Sequence, residues 1–80
     1  MDFELSVISF SGSVFEGRCT SLTLPLEDGL YTIKPGHSPV VAALSKGSLK
    51  YTSGDTESCI DVCAGVCTFR NNSARVLIEK

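Results

Sequence analysis

Turn signals recur about every ten residues along this chain, and no helix-period apolar stripe separates them, the pattern of an all-β sandwich or barrel. The segments "FSGS", "LEDG", "KPGHSP", "SKG", "GDTE" and "RNNS" each collect glycine, proline, asparagine or small polar residues, which favour bends for distinct steric reasons. Between them the dominant period is two. Phe3, Leu5 and Val7 alternate with Glu4 and Ser6, as in a strand with one buried face. In "VFEGRCTSLTLP", Phe15, Gly17 and Cys19 share one phase whereas Leu22 and Leu24 share the other. That change of phase predicts a β-bulge near Thr20 or Ser21, and Pro25, which lacks a backbone N–H, is expected to close the strand.

The remaining segments follow the same logic. "LEDG" reads as an exposed acidic turn with Gly29 free to take positive φ, and "LYTI" as a short strand. Pro35-Gly36 presets a turn, and Pro39 biases Ser38 toward extended backbone ahead of "VVAAL". "SLKYTS" and "SCIDVC" form a hairpin around "GDTE"; Ala64-Gly65 is expected to interrupt the chain before "VCTF". "ARVLIE" closes the domain with Val76 and Ile78 on one face. Eighty residues support one modest core, so residues 1–80 are expected to form one domain.

Composition excludes several classes. A net charge of −2 supplies no basic face for phosphate backbones, so nucleic acid is not an expected partner. No apolar run approaches the ~20 residues that cross a bilayer, and direct membrane insertion is not expected. The acidic start "MDFELSVISF" lacks the basic region and cleavage site of a signal peptide, which points to a soluble, cytoplasmic chain. Cys19, Cys59, Cys63 and Cys67 could form a disulfide framework, a metal site or simply buried, reduced thiols. The absence of a C-x-x-C pair and the strand-like context of the last three favour the buried thiols.

His37 is the single histidine, set between two prolines and beside a glycine. Its neutral-range chemistry invites a catalytic or metal-binding reading. Neither a G-x-S-x-G elbow nor a phosphate loop accompanies it, and nothing in the sequence places a cysteine beside it. A corner or interface residue is therefore expected, in a module that works by presenting surface; no catalytic residue, metal or cofactor is expected.

The segments "VFEGRCTSLTLP", "YTIKPGHSPVVAALSKGSLKY" and "VCAGVCTFRNNSARVLIE" occur in an order and spacing that resemble the N-terminal domain of the ATP synthase epsilon subunit family. Phe15-Glu16-Gly17, Leu22 to Pro25, Ile33, Pro35-Gly36-His37, Pro39, Leu44, Gly47 and Gly65 fill that family's motif places. The P-G-H-x-P core with its flanks in register carries most of the specificity. The resemblance implies a small flattened β-sandwich of two mostly antiparallel sheets. It also implies a non-catalytic rotor subunit in the central stalk of the proton-translocating ATP synthase, peripheral on the cytoplasmic face of the cell inner membrane. Its implied partners are the gamma subunit and the polar loops of the c-ring.

Carried onto this sequence, the resemblance implies gamma contacts at Ser9, His37, Val41 and Ala42. It implies c-ring contacts at Glu27, Asp28, Gly29, Leu30 and Tyr31. Three departures stand out. Cys63-Ala64-Gly65 replaces serine-glycine-glycine; Leu30 follows Gly29 where a glutamate is usual, with Glu27 and Asp28 upstream; and the sequence ends at Lys80, where most relatives continue into a helical hairpin. The last departure implies no inhibition of ATP hydrolysis through such a hairpin. Two other readings remain open: a stand-alone β-sandwich interaction module, and a cysteine-dependent metal or redox protein.

Overall fold

A computed structural model describes residues 1–80 as nine strands and no helix. In chain order these are β1 (Phe3–Ser9), β2 (Gly12–Cys19), β3 (Ser21–Leu26), β4 (Gly29–Ile33), β5 (Val40–Leu44), β6 (Gly47–Ser53), β7 (Thr56–Val62), β8 (Ala64–Arg70) and β9 (Ser73–Glu79). They form a five-stranded sheet of order β2-β1-β9-β8-β5 and a four-stranded sheet of order β4-β3-β6-β7. Every pairing is antiparallel except that of β1 with β9. The molecule measures 30 × 24 × 19 Å; of the sandwich or barrel that the alternating pattern allows, it is the flattened sandwich that the resemblance implies.

The core forms where the inward phases of the two sheets meet. Phe3, Leu5 and Val7 from β1 join Ala74, Val76 and Ile78 from β9 and Cys67 and Phe69 from β8. Leu22, Leu24, Ile33, Leu49, Tyr51, Ile60 and Val62 supply the facing layer. Phe3 and Phe69 meet edge to face at 5.4 Å, a geometry that aromatic quadrupoles favour.

Three local expectations are corrected. The phase change after Cys19 is a change of sheet: β2 ends in the five-stranded sheet and β3 begins in the other. Thr20 spans the step, with its N–H donating to Thr52 O at 2.8 Å. Each sheet buries its own inward phase, so residues on either side of such a step must change phase without any inserted residue. A register shift does occur, but between Val7 and Ile8, where Val14 is the extra residue on β2. Likewise the break expected at Ala64-Gly65 falls at Cys63, the step from β7 back to the first sheet, and Ala64 and Gly65 already lie in β8. Strand β3 also runs one residue past Pro25, because Leu26 pairs with Gly29 to close a two-residue hairpin.

Gly65 is tolerated in β8 because the neighbouring strand comes close. A Cβ at this position would lie 2.5 Å from Leu77 O and 3.2 Å from Ile78 Cα. The Asn71-Asn72 turn has φ of 52° and 57°, the paired positive angles of a tight hairpin whose twist matches its strands. Asn72 then ties two other segments to this end of the sandwich. Its Oδ1 accepts from Gly36 N at 3.0 Å, and its Nδ2 donates to Asp2 O at 2.9 Å.

Candidate docking surfaces

The corner containing His37 is built by its own backbone. His37 N donates to Lys34 O at 3.1 Å, closing a turn with Pro35 and Gly36 at its centre, and Gly36 takes a φ of 80°. The turn directs the half-buried imidazole between Tyr31 and Phe69, edge-on to both rings at 5.6 and 5.9 Å. His37 Nδ1 lies 2.6 Å from Ser38 O, and a carbonyl can only accept, so the neutral ring carries its proton on Nδ1. Nε2 is then the acceptor for the Tyr31 hydroxyl at 2.9 Å. Both ring nitrogens are occupied by structural partners, the arrangement of a fixed corner. No group of three or more His, Cys, Asp or Glu side chains is gathered to hold a metal ion.

The sandwich has two ends, and the candidate contacts divide between them. His37 sits with Asn72 and Asp2 at one end. Val41, on the edge strand β5, is 72% exposed and pairs with Thr68 on the outer face of the five-stranded sheet. Ala42, next along, faces inward and is half-buried against the core. Ser9 closes β1 at the opposite end, at least four strand residues and roughly 13 Å beyond the row that contains Phe69. Its side chain is buried and turned inward: Oγ donates to Gly12 O at 3.2 Å and accepts from Ser11 N at 3.3 Å. His37 and Val41 thus share one end of one edge, whereas Ser9 stands apart as the internal brace of the β1–β2 turn.

The β3–β4 hairpin lies at that same opposite end, held where Ser45 N donates to Pro25 O at 2.8 Å. Glu27 and Asp28 are its two tip residues, and Gly29 takes a φ of 129° that permits the reversal. Leu30 is 72% exposed, so the tip presents two carboxylates and one apolar side chain together. Tyr31 turns back toward His37 and is half-buried.

Only two of the four cysteines are core residues. Cys19 and Cys67 are enclosed, and burial pushes both thiols up to about 11. Cys59 and Cys63, expected to be buried, are exposed: the first lies on the outer face of edge strand β7, the second in the step between sheets.

The outer face of the five-stranded sheet carries exposed Ile8, Val66 and Leu77, with fully exposed Phe10 at the adjoining hairpin tip. Those residues were not among the sequence expectations. Their signal was legible in "RVLIE", where Val76, Leu77 and Ile78 are apolar in succession and one of the two phases has to face outward.

The geometry of the whole chain is matched by known proteins. Residues 2–80 fit the family described as ATP synthase, Delta/Epsilon chain, beta-sandwich domain. The ATP synthase epsilon chain of Chlorobium limicola is 32% identical over 78 residues, covering 96% of this chain and 89% of that one. The epsilon chain of Bartonella henselae is 30% identical over 78 residues, 98% of this chain and 56% of the relative. This chain therefore spans little more than half the length of some curated relatives it matches. Among solved structures, a chain of the Euglena gracilis mitochondrial ATP synthase OSCP/F1/c-ring assembly superposes over 96% of this chain and 50% of that one. Its TM-score is 0.89 at 14% identity, which bears on the fold alone. With a family match over nearly its full length and a relative of similar size, the chain belongs to the ATP synthase epsilon chain family, as the N-terminal β-sandwich domain.

Proposed function

We propose that this chain serves as a non-catalytic part of the central-stalk rotor in a proton-translocating ATP synthase. In this reading it links the gamma subunit to the polar loops of the c-ring and supports the coupling of proton flow to ATP synthesis. The observation that carries the proposal is the match of residues 2–80 to the Delta/Epsilon-chain β-sandwich, in a chain whose nine strands form two packed sheets. The Euglena neighbour belongs to an F1/c-ring assembly, and a Tetrahymena thermophila neighbour, with a TM-score of 0.81, belongs to a central stalk/c-ring assembly.

The two ends of the sandwich suit this double role. The gamma-facing set comprises His37 and Val41 on the β5 edge, with Ala42 behind them and Ser9 bracing the far hairpin. The c-ring-facing set comprises Glu27, Asp28, Gly29 and Leu30 at the tip of the other end, with Tyr31 behind them turned back toward His37. Both ring nitrogens of His37 hold the corner in place, so the imidazole shapes a docking surface. Peripheral association at the cytoplasmic face of the inner membrane follows from docking on the c-ring, and no helix in the chain is long and apolar enough to cross a bilayer.

The test is assembly. The purified protein is mixed with a gamma subunit alone, and separately with a gamma–c-ring complex, and each mixture is resolved by size. Stoichiometric comigration with gamma, strengthened by the c-ring, is the expected result. Failure to bind either would overturn the rotor reading in favour of a stand-alone module.

A further inference from the structure

All three arginines of this acidic chain lie on the outer face of the five-stranded sheet: Arg18 on β2, Arg70 on β8 and Arg75 on β9. Arg18 is neutralised locally, with its Nε 2.9 Å from Asp2 Oδ1 and its Nη1 3.8 Å from Glu4 Oε2. Arg70 and Arg75 have no carboxylate within ion-pair distance. They sit diagonally across the β8–β9 ladder, Arg70 opposite Ser73 and Arg75 opposite Thr68. Together with Thr68, Asn71 and Ser73 they line an open cleft of about 410 Å³ that contains no apolar residue. The facing acidic groups are Glu4, across from Ser73 but beside Arg18, and Glu16, separated from Arg75 by Ser6.

Long side chains on diagonal neighbours of a ladder reach one another, and a shared counter-charge relieves the repulsion between two like charges there. Each guanidinium presents a planar fork that fits a pair of oxygens. One fork satisfies a carboxylate. Two forks lining one cleft, with two hydroxyls and an amide beside them, fit a group that offers three or more oxygens. We propose that Arg70 and Arg75 clamp a phosphate group, with Thr68, Asn71 and Ser73 supplying neutral donors. The polar lining offers nothing to a nucleobase, so the site recognises the phosphate moiety and not a whole nucleotide. This inference does not depend on the rotor reading, since the cleft belongs to neither candidate docking set.

Titration of the isotope-labelled protein at constant ionic strength tests it, with backbone amide signals as the readout. Inorganic phosphate and pyrophosphate are expected to produce saturable shifts confined to Thr68 through Arg75, with pyrophosphate the tighter ligand. ATP is expected to bind no more tightly than tripolyphosphate. R70Q and R75Q should each weaken binding about tenfold through loss of a charge-assisted fork, whereas K50Q, on β6 of the other sheet, should leave it unchanged. The double variant R70K/R75K keeps both charges but not the forks, and should bind several-fold more weakly than wild type. Thermal melts establish that each variant is folded, as expected for substitutions on an exposed sheet face. Shifts that rise linearly without saturation, or that persist in the R70Q/R75Q double variant, would overturn the site. Equal binding by the lysine pair would overturn the clamp.

Discussion

The Tyr31 hydroxyl donates to Nε2 of His37 across 2.9 Å, joining the β3–β4 hairpin to the Pro35–Pro39 corner. Tyr31 belongs to the candidate c-ring set and His37 to the candidate gamma set, so one hydrogen bond spans the two. Phe69 supports the imidazole from the core side, edge-on at 5.9 Å. The corner is therefore anchored both to the hairpin and to the five-stranded sheet.

Removing the Tyr31 hydroxyl tests this anchor. Tyr31→Phe is expected to cost about 1 kcal/mol of stability, the net worth of one part-buried hydrogen bond. Nitrogen NMR of the neutral imidazole should show the proton on Nδ1 in the wild type, because Ser38 O can only accept. A dominant Nε2–H tautomer would disprove the described network.

The edge-strand surface makes a separate prediction. Val41 is 72% exposed, so Val41→Asp should leave the folding midpoint nearly unchanged. In a gamma interface the same charge would be desolvated, costing about 2–4 kcal/mol of binding. A folded Val41→Asp protein with unaltered gamma affinity would remove Val41 from the docking set.

At the other end, the Glu27, Asp28 and Leu30 side chains project together from one hairpin tip. Exposed carboxylate contacts contribute only about 0–1 kcal/mol each, so single substitutions should have small effects. Replacing all three should loosen proton pumping measurably in a reconstituted synthase. Full coupling in the triple variant would place the c-ring contact elsewhere.

Gly65→Ala is expected to destabilise the domain by about 1–3 kcal/mol, the usual cost of forcing an extra carbon into a packed site. The new Cβ would meet the Leu77 carbonyl and the Ile78 backbone, neither of which can rotate away as a side chain could. Urea denaturation measures the change, and a neutral outcome would show that β8 and β9 separate easily.

The thiols should divide into two classes. Cys59 and Cys63 are expected to react with a thiol reagent in the folded protein, whereas Cys19 and Cys67 should react only on unfolding. Burial raises the folded pKa of the latter pair from 9.0 to about 11. Between those values the unfolded chain has released its thiol protons while the folded chain retains them, so stability falls as pH rises. Below pH 9 the contribution is fully present, and it is lost as pH climbs toward 11. The decline should be roughly 1–3 kcal/mol per thiol and should disappear in a Cys19→Ala/Cys67→Ala variant compared across the same pH range.

Local chemistry determined much of this protein. The period-two alternation of Phe3, Leu5 and Val7 set a buried strand face, and Gly29, Gly36 and the Asn71-Asn72 pair set reversals that few other residues make cheaply. Those are properties of neighbours along the chain, and the all-β class, the turns and the acidic hairpin tip were legible from them. The tertiary structure alone decided what depends on residues far apart. It turned the phase change after Cys19 into a step between sheets, because either sheet could have taken the next strand. It paired β1 with β9, placing Ser9 away from His37 although the resemblance implies gamma contacts at both. It also turned Ser9 inward, bonded Tyr31 to His37, and set Arg70 beside Arg75 while drawing Asp2 to Arg18. Side-chain alternation tells which face a residue takes within its strand; only the pairing of strands tells what stands opposite.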